Sequence, residues 1–539
     1  MRRGSQLGRH ERRTSDREAF ERARDARASG RPRRLDRDDA DGLLRRRVRA
    51  GRLFRSNRRP RRRRLLRGLR LRRDLVQRPP LRERSRRRRR RLQLRRRRRH
   101  RHRRWPERRR GHERGRRMSE RGTRRLDVLR ARPHPAYVVW ELTLACDHAC
   151  RHCGSRAGEA RSNELSTEEA LGVVKQLADM GTREVVLIGG EAYLHEGFLD
   201  VIRALRAEGM QASMTTGGLG VTAELARDMA DAGLQLVSVS VDGLEETHDR
   251  QRARTGSFRA ALDALRNLKA AGIATASNVN VNRGNLGELE ALYEVLRDVG
   301  IRAWQVQITS PLGRAADRPE MLLQPWDLLD LVPRVVALKR RAKLDGVRVW
   351  PGNNLGYFGP EEGALRSADP DTANEHWRGC QAGRFVLGIE SDGAVKGCPS
   401  LQTASYVGGH VRERSIQSIW DESPELAFAR GPRALHGYCA ECAYADTCQG
   451  GCSFTAHSVL GKPGDNPYCY HRARVFRRQG LRERLVPTEA ADGRPFDHGL
   501  YRVEREPFDA PDEVAPPERL VRIGRKPKRP EKAWRQDVG

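Results

Sequence analysis

The sequence predicts an α/β protein with a cysteine-rich C-terminal part, and three observations carry that prediction. From 130 to 350, short apolar runs alternate with amphipathic segments, the pattern of repeated βα units. All ten cysteines fall in two groups, at 146–153 and 380–469. The excess basicity of the 539-residue chain sits in one place. Residues 1–117 hold 52 Arg, no Lys and 13 Asp or Glu, a net +39, which leaves −1 for the rest.

Taken in order, strands are predicted at Tyr137–Leu144, Glu184–Ile188, Gln211–Thr215, Gln235–Val241, Thr275–Val281 and Ala303–Ile308. The helices between them have legible ends. Ser166-Thr-Glu-Glu169 is a capping box, and the helix it starts turns Leu171, Val174, Leu177 and Ala178 inward before stopping at Gly181. Ser257 is expected to cap a second helix, with Phe258, Ala261, Leu262, Leu265 and Leu268 inward and Gly272 as its stop. Six such units suit a partial barrel, and a doubly wound open sheet has the same local pattern. In a barrel the chemistry sits at the C-terminal strand ends.

Residues 1–117 include Arg86 to Arg91 and Arg95 to Arg99 and have hardly any aromatics. Such a segment buries too little apolar surface to offset the entropy of ordering, so it is expected to be disordered. Dense guanidinium charge attracts phosphate without sequence preference, which is one use for such an arm. Arg without any Lys is also the pattern of a GC-rich upstream region read from a start codon placed too early. Met118 then begins an ordinary protein, and the latter reading is preferred. Nucleic acid is a partner only if the segment is real. Residues 476–539, rich in charge and proline, read as a charged tail.

Cys146, Cys150 and Cys153 form C-x3-C-x2-C directly after the first strand. Cys380 and Gly393-x4-Cys398 precede C-x2-C-x5-C-x3-C at Cys439, Cys442, Cys448 and Cys452, and Cys469 closes the series. Three near thiolates can hold three corners of a [4Fe–4S] cube and leave the fourth iron open. Disulfides would need an oxidising compartment, and no apolar signal segment lies near the start. Zinc could close a four-cysteine site in the second group but has no use for an open three-cysteine site upstream.

In order and about 230 residues apart, the two groups resemble the radical S-adenosylmethionine (SAM) superfamily with a C-terminal SPASM domain. The first motif of that superfamily is C-x3-C-x-aromatic-C, with His152 in the aromatic slot here. The resemblance implies a partial (β/α)6 TIM-like barrel over 130–350 and a SPASM iron–sulfur domain over 375–475. It also implies a reduced cluster on Cys146, Cys150 and Cys153 that cleaves SAM to a radical able to take a substrate hydrogen. Gly189-Gly190-Glu191 is similar to the family motif that binds the SAM amino group, with Ala192 in place of proline. The glycines are expected to let backbone approach the ligand, and Glu191 to accept from its ammonium. Ser240 and Arg252 match residues that contact SAM, Arg252 pairing with its carboxylate. Thr215-Thr216-Gly217 and Asn278, Asn280 and Asn282 match places that line the same cavity.

The resemblance further implies two auxiliary iron–sulfur clusters. Cys439, Cys442, Cys448 and Cys469 would complete one, while Cys380, Cys398 and Cys452 supply only three thiolates to the other. Pro399 follows Cys398 where sulfatase maturases carry a catalytic Asp, which argues against formylglycine formation. Trp350-Pro-Gly-Asn-Asn-Leu-Gly-Tyr357 and Cys398-Pro-Ser-Leu401 look like maturases associated with GDL-motif peptides. The expected function is modification of a ribosomally made precursor peptide (a crosslink, thioether or epimer). A flavodoxin- or ferredoxin-type electron donor, a cytoplasmic setting and no membrane go with it. The alternatives are a SPASM-type oxidoreductase acting on a small molecule in a cofactor or haem pathway, and a multi-cluster electron carrier without catalysis.

Overall fold

A computed structural model describes residues 133–355, 359–377 and 379–512. The Arg-rich segment 1–117, Tyr357 and residues 513–539 lie outside the described residues. Six parallel strands follow one another: β1 (Tyr137–Thr143), β2 (Glu184–Gly189), β3 (Gln211–Thr216), β4 (Leu236–Ser240), β5 (Ala274–Val281) and β6 (Ala303–Ile308). Each pairs with the next in chain order. That order decides between the two folds left open by pattern alone. A doubly wound sheet reverses direction at a switch point, whereas a barrel winds one way round. The winding here is that of the barrel.

The barrel is partial. β7 (Arg348–Pro351) adds parallel to β6, and β8 (Val386–Ile389) adds parallel to the free side of β1. β9 (Ala394–Lys396) and β10 (Val407–His410) continue antiparallel, giving one ten-stranded sheet in the order β10-β9-β8-β1-β2-β3-β4-β5-β6-β7. The cysteine-rich region therefore extends the core sheet.

Helices α1 (Thr167–Asp179), α2 (Phe198–Ala207), α3 (Ala223–Asp231), α4 (Glu245–Arg252), α5 (Ser257–Ala270), α6 (Leu289–Val299) and α7 (Leu328–Leu344) connect the strands. The capping box of α1 is present, with Glu169 N donating to Ser166 Oγ at 3.3 Å and Ser166 N to Glu169 Oε2 at 2.9 Å. Two details differ from expectation. Leu171 is 37% exposed, and Ala170 and Val173 turn inward beside Val174 and Leu177. The N-cap of α5 is Gly256, not Ser257. The carboxylate of Asp249 caps that helix instead, accepting from Gly256 N, Ser257 Oγ and Phe258 N at 2.6, 2.9 and 2.8 Å. A capping carboxylate from the preceding helix does the work a local serine usually does. The core between sheet and helices includes Trp140, Trp304 and Trp420, all fully buried. Among the described residues no helix is long and apolar enough to cross a membrane.

The C-terminal part packs on as α8 (Ile416–Glu422), α9 (Ser453–Leu460), α10 (Tyr470–Arg478) and the hairpin β11 (Leu481–Glu489) with β12 (Leu500–Pro507). The tail expected from 476 is thus folded as far as the described residues reach. Its charges satisfy one another. Arg482 Nε lies 2.6 Å from Glu506 Oε1, and Arg484 Nη2 lies 2.8 Å from the same oxygen. A buried network joins the barrel to the extension. Arg161 pairs with Glu141 of β1 and with Glu390 at 2.9 Å, and Lys396 Nζ lies 2.5 Å from Glu390 Oε1.

Candidate iron–sulfur and cofactor site

Cys146, Cys150 and Cys153 lie on the loop after β1, at one wall of a cavity of about 310 Å³. The C-terminal ends of the barrel strands supply the rest: Gly189, Gly190 and Glu191 after β2, Thr215 and Thr216 of β3 with Gly217, and Ser240 ending β4. Asn278 and Asn280 of β5 and Arg252 of α4 complete that side. Gly189, Gly190, Glu191, Ser240 and Arg252 thus line one cavity with the three cysteines. Asn282, matched to the cavity with less weight, is absent from its lining and accepts from Gly284 N at 2.8 Å. A larger open depression between α5 and α6, lined by Leu262, Arg266, Lys269 and Val295 among others, carries no comparable chemistry.

The cysteine loop is held by its surroundings. Arg314, just beyond β6, donates from Nε to Cys150 O at 2.8 Å and from Nη2 to Ala157 O at 2.9 Å. Arg156 pairs with Asp317 and Asp497 at 2.6 and 2.8 Å, and Phe496 N donates to Gly154 O at 3.1 Å. The two glycines line the cavity and also make a close backbone approach. A Cβ on Gly189 would collide with the Thr143 carbonyl, and one on Gly190 with the Ala145 carbonyl. Their backbone approaches the exit of β1, where Gly190 N and Glu191 N donate at 2.8 Å each. The motif therefore ties the Glu191 loop to the cysteine loop.

Glu191 is buried and its hydrogen-bond partners are neutral: Thr216 Oγ1 and Gly217 N, the latter at 2.7 Å. Burial, with the nearby Asp147 carboxylate, pushes the Glu191 carboxyl up to about 8. A ligand ammonium would supply the missing positive charge. Ser240 Oγ exchanges bonds with the Asn278 amide at 3.0–3.2 Å. Arg252 was expected to be open to a carboxylate, but its Nη2 lies 2.6 Å from the fully buried Asp242, and Nη1 3.6 Å from Cys150 Sγ. Its Nε has no hydrogen-bond partner. Asp242 also meets His152 Nε2 at 3.3 Å. Sequence reasoning missed Asp242. The signal was there, an acidic residue directly after Ser240-Val241 at the end of β4.

The second group lies in two neighbourhoods. Cys439, Cys442, Cys448 and Cys469 line one small cavity with Tyr438, Tyr444 and His471. Burial pushes Cys398 up to about 12, and Cys380 and Cys452 are its nearest thiol influences. Trp377 packs against Cys380 and Cys448, so one indole stands between the two sets. Phe454, two residues after Cys452, reaches the barrel cavity.

The donor sets fit iron–sulfur clusters. All ten cysteines are free thiols. A zinc site draws its thiolates to about 3.8 Å of one another, as follows from tetrahedral bonds of about 2.3 Å. Among the described residues the one grouping drawn within 4.8 Å is Cys146, Asp147, His148 and Glu191, and no set of three cysteines is that tight. A cube, with its larger span, suits the wider spacing.

Residues 140–296 match the model of the radical SAM superfamily, and 380–443 match the SPASM iron–sulfur cluster-binding domain. The chain is 30% identical over 412 residues to mycofactocin maturase MftC of Mycobacterium tuberculosis, covering 75% of this chain and 97% of that one. It is 27% identical over 347 residues to the AdoMet-dependent heme synthase of Methanosarcina barkeri, covering 63% and 97%. The solved structure of native anSMEcpe with bound AdoMet shares the fold, with a TM-score of 0.52 at 17% identity over 63% of this chain and 95% of that one. The chain belongs to the radical SAM superfamily, in the branch with a SPASM domain, and is an enzyme of SAM, a [4Fe–4S] cluster and auxiliary iron–sulfur clusters.

Proposed function

We propose that the protein takes a hydrogen atom from a ribosomally made precursor peptide and so modifies it. One observation carries this reading: the cavity that holds the three-cysteine loop also receives Phe454 from beside the auxiliary cysteines. A substrate there would touch both kinds of site. The kinship with mycofactocin maturases, about 97% of whose length the chain spans, points the same way.

In this proposal Cys146, Cys150 and Cys153 hold the [4Fe–4S] cluster and leave one iron for SAM. Burial pushes the Cys150 thiol up to about 11, so bound metal charge is what makes these thiols ligands. When bound, cluster and SAM supply the one-electron chemistry that creates the hydrogen-abstracting species. The chain's own residues orient SAM. Glu191 accepts from its ammonium, Ser240 contacts it, and Arg252, steadied by Asp242, offers its free Nε to the carboxylate. Gly189 and Gly190 keep the Glu191 loop against the cysteine loop. The sets Cys439/Cys442/Cys448/Cys469 and Cys380/Cys398/Cys452 hold the auxiliary clusters, the second with one ligand other than cysteine or with an open iron. A flavodoxin- or ferredoxin-type donor in a reducing cytoplasm completes the system.

A second reading, an oxidoreductase on a small molecule of haem metabolism, rests on the likeness to heme synthases. The discriminating experiment gives reduced, cluster-loaded protein and SAM, in D2O, each short peptide encoded beside its gene and follows both by mass spectrometry. A mass change in the peptide, deuterium fixed at carbon included, with formation of 5′-deoxyadenosine supports the maturase. SAM turnover that leaves every such peptide unchanged in mass and isotope content overturns it.

A further inference from the structure

Part of the cavity lining outside the residues assigned to SAM has its own chemistry. Thr309 and Ser310, just past β6, are 3% and 8% exposed and line the cavity, yet Thr309 Oγ1 and Ser310 Oγ have no hydrogen-bond partner among the described residues. Buried hydroxyls without partners are costly, so a bound group that satisfies them gains what the empty site lacks. Beside them the amides are mostly committed. Gln307 Nε2 donates to Asn280 Oδ1 at 3.0 Å, and Asn354 pairs with the Ile308 backbone through both its amide atoms, at 2.6 and 3.3 Å. The opposite wall is apolar. Phe454 is half-buried while its neighbours Ser453 and Thr455 are fully buried, and its ring packs on the cluster of Ala382, Leu401 and Tyr406 that also receives Cys380 and Cys398.

Charge narrows the ligand further. Among the described residues lining the cavity the one Lys or Arg is Arg252, and Asp242 already holds it. A ligand carrying several carboxylates would be buried against hydroxyls, amides and a phenyl ring with no cation to meet it, which is strongly unfavourable.

We propose that Thr309, Ser310 and Phe454 form the substrate subsite and that it takes an uncharged peptide segment. A backbone amide of the segment bonds to the two hydroxyls, and an apolar or aromatic side chain packs on Phe454. Phe454 thereby holds the bound segment between the SAM site and the three-thiol auxiliary set. This inference rests on the peptide reading above and adds the residues that select the substrate.

The test uses the full chain, cluster-loaded and saturated with SAM under exclusion of oxygen. The probes are a library of N-acetylated, C-amidated tetrapeptides and, separately, an iron porphyrin bearing four carboxylates. Binding is read by ultrafiltration and mass spectrometry. The wild type is expected to retain capped peptides with an apolar or aromatic residue and to release the porphyrin. The double variant Thr309→Val with Ser310→Ala, and Phe454→Ala alone, should each raise the peptide Kd about tenfold. SAM affinity should stay within about twofold, since none of the three residues is among those assigned to SAM. Phe454→Leu keeps an apolar wall and should restore most of the affinity, which separates contact from misfolding. Peptides retained equally by the wild type and all variants overturn the inference and leave the peptide reading standing. A wild type that retains the porphyrin in preference to every peptide, or retains neither, overturns both.

Discussion

Asp242 Oδ2 sits 2.6 Å from Arg252 Nη2, and that guanidinium in turn lies 3.6 Å from the Cys150 sulfur. Asp242 is itself fixed, since its Oδ1 accepts from Asn280 N at 2.9 Å and its carbonyl from Asn285 Nδ2 at 2.7 Å. Burial alone would raise its carboxyl, but Arg252 and His152 overcome that and hold it far below the usual range. One buried anion therefore sets the position of two side chains that face the cluster loop. A guanidinium left without it would be an unpaired charge in a closed site.

Asp242→Asn keeps the shape and removes the charge. The expected cost to folding of the apoprotein is about 3–5 kcal/mol, the range for breaking a buried pair, read by urea denaturation. SAM affinity should fall with it, and Arg252→Lys should not substitute, because an ammonium cannot fork between a carboxylate and a sulfur. The folded carboxyl lies below its unfolded value near 3.9, so its contribution is present above that pH and is lost as pH falls. Unchanged stability in Asp242→Asn would show that Arg252 finds another anchor.

Glu191 has the opposite sign. Its folded value of about 8 stands above an unfolded value near 4.3. Its contribution is therefore full below about pH 4.3 and is lost as pH rises through 8. An ammonium beside the carboxylate favours the ionised form, so SAM binding at about pH 6.5 should expel a proton from Glu191. Calorimetry in two buffers of different ionisation heat measures that release directly. Glu191→Gln should abolish it, and a binding heat independent of buffer in the wild type would contradict the assignment.

What could be read in the sequence was local. β1 to β6 and their helices follow from periods of 2 and 3.6 residues, and the cysteine loop and the Glu191 turn follow from spacing within a few residues. What could not be read was long-range. β8 is four residues long and pairs with β1 across some 250 residues of chain, so nothing nearby announces it. β11 and β12 alternate Arg and Glu, which by composition is a solvated tail. The sheet shows itself only in the backbone pairing of β11 with β12, with Arg482 and Arg484 meeting Glu506 across it and Leu485 and Tyr501 buried in the core. The Asp249 cap of α5 and the Asp242 anchor were hidden for the same reason, because each carboxylate acts on an element other than its own.

The C-terminal hairpin leads to a prediction about the cysteine loop. The turn between its strands delivers Asp497 to Arg156, three residues beyond Cys153, at 2.8 Å. Asp497→Ala should destabilise the protein by about 1–3 kcal/mol, since Arg156 keeps Asp317 but loses half of its partners. Truncation before Leu481 removes the anchor together with the sheet and should also lower iron retention at the first cluster. Denaturation curves and iron per chain check both. A truncated protein with full stability and iron would restore the reading of this segment as a tail.

The final prediction separates the two groups of cysteines. Three clusters, if all are cubes, give about twelve irons per chain after reconstitution. Cys150→Ala should lose about four of them and all SAM cleavage, since two thiolates no longer hold the cube in place. Cys442→Ala damages the set around Tyr438 and His471 and leaves the barrel loop untouched, so SAM cleavage without product should survive. Because metal binding in such a region is also folding energy, circular dichroism must show that the variant keeps its structure before its turnover is read. A folded Cys442→Ala protein that modifies peptide at the normal rate would reduce the outer auxiliary cluster to a structural role. One tightly held zinc with about four irons per chain would go further and make the C-terminal cysteines a zinc site. Spacing wider than a single ion's coordination sphere in every cysteine set argues for the clusters.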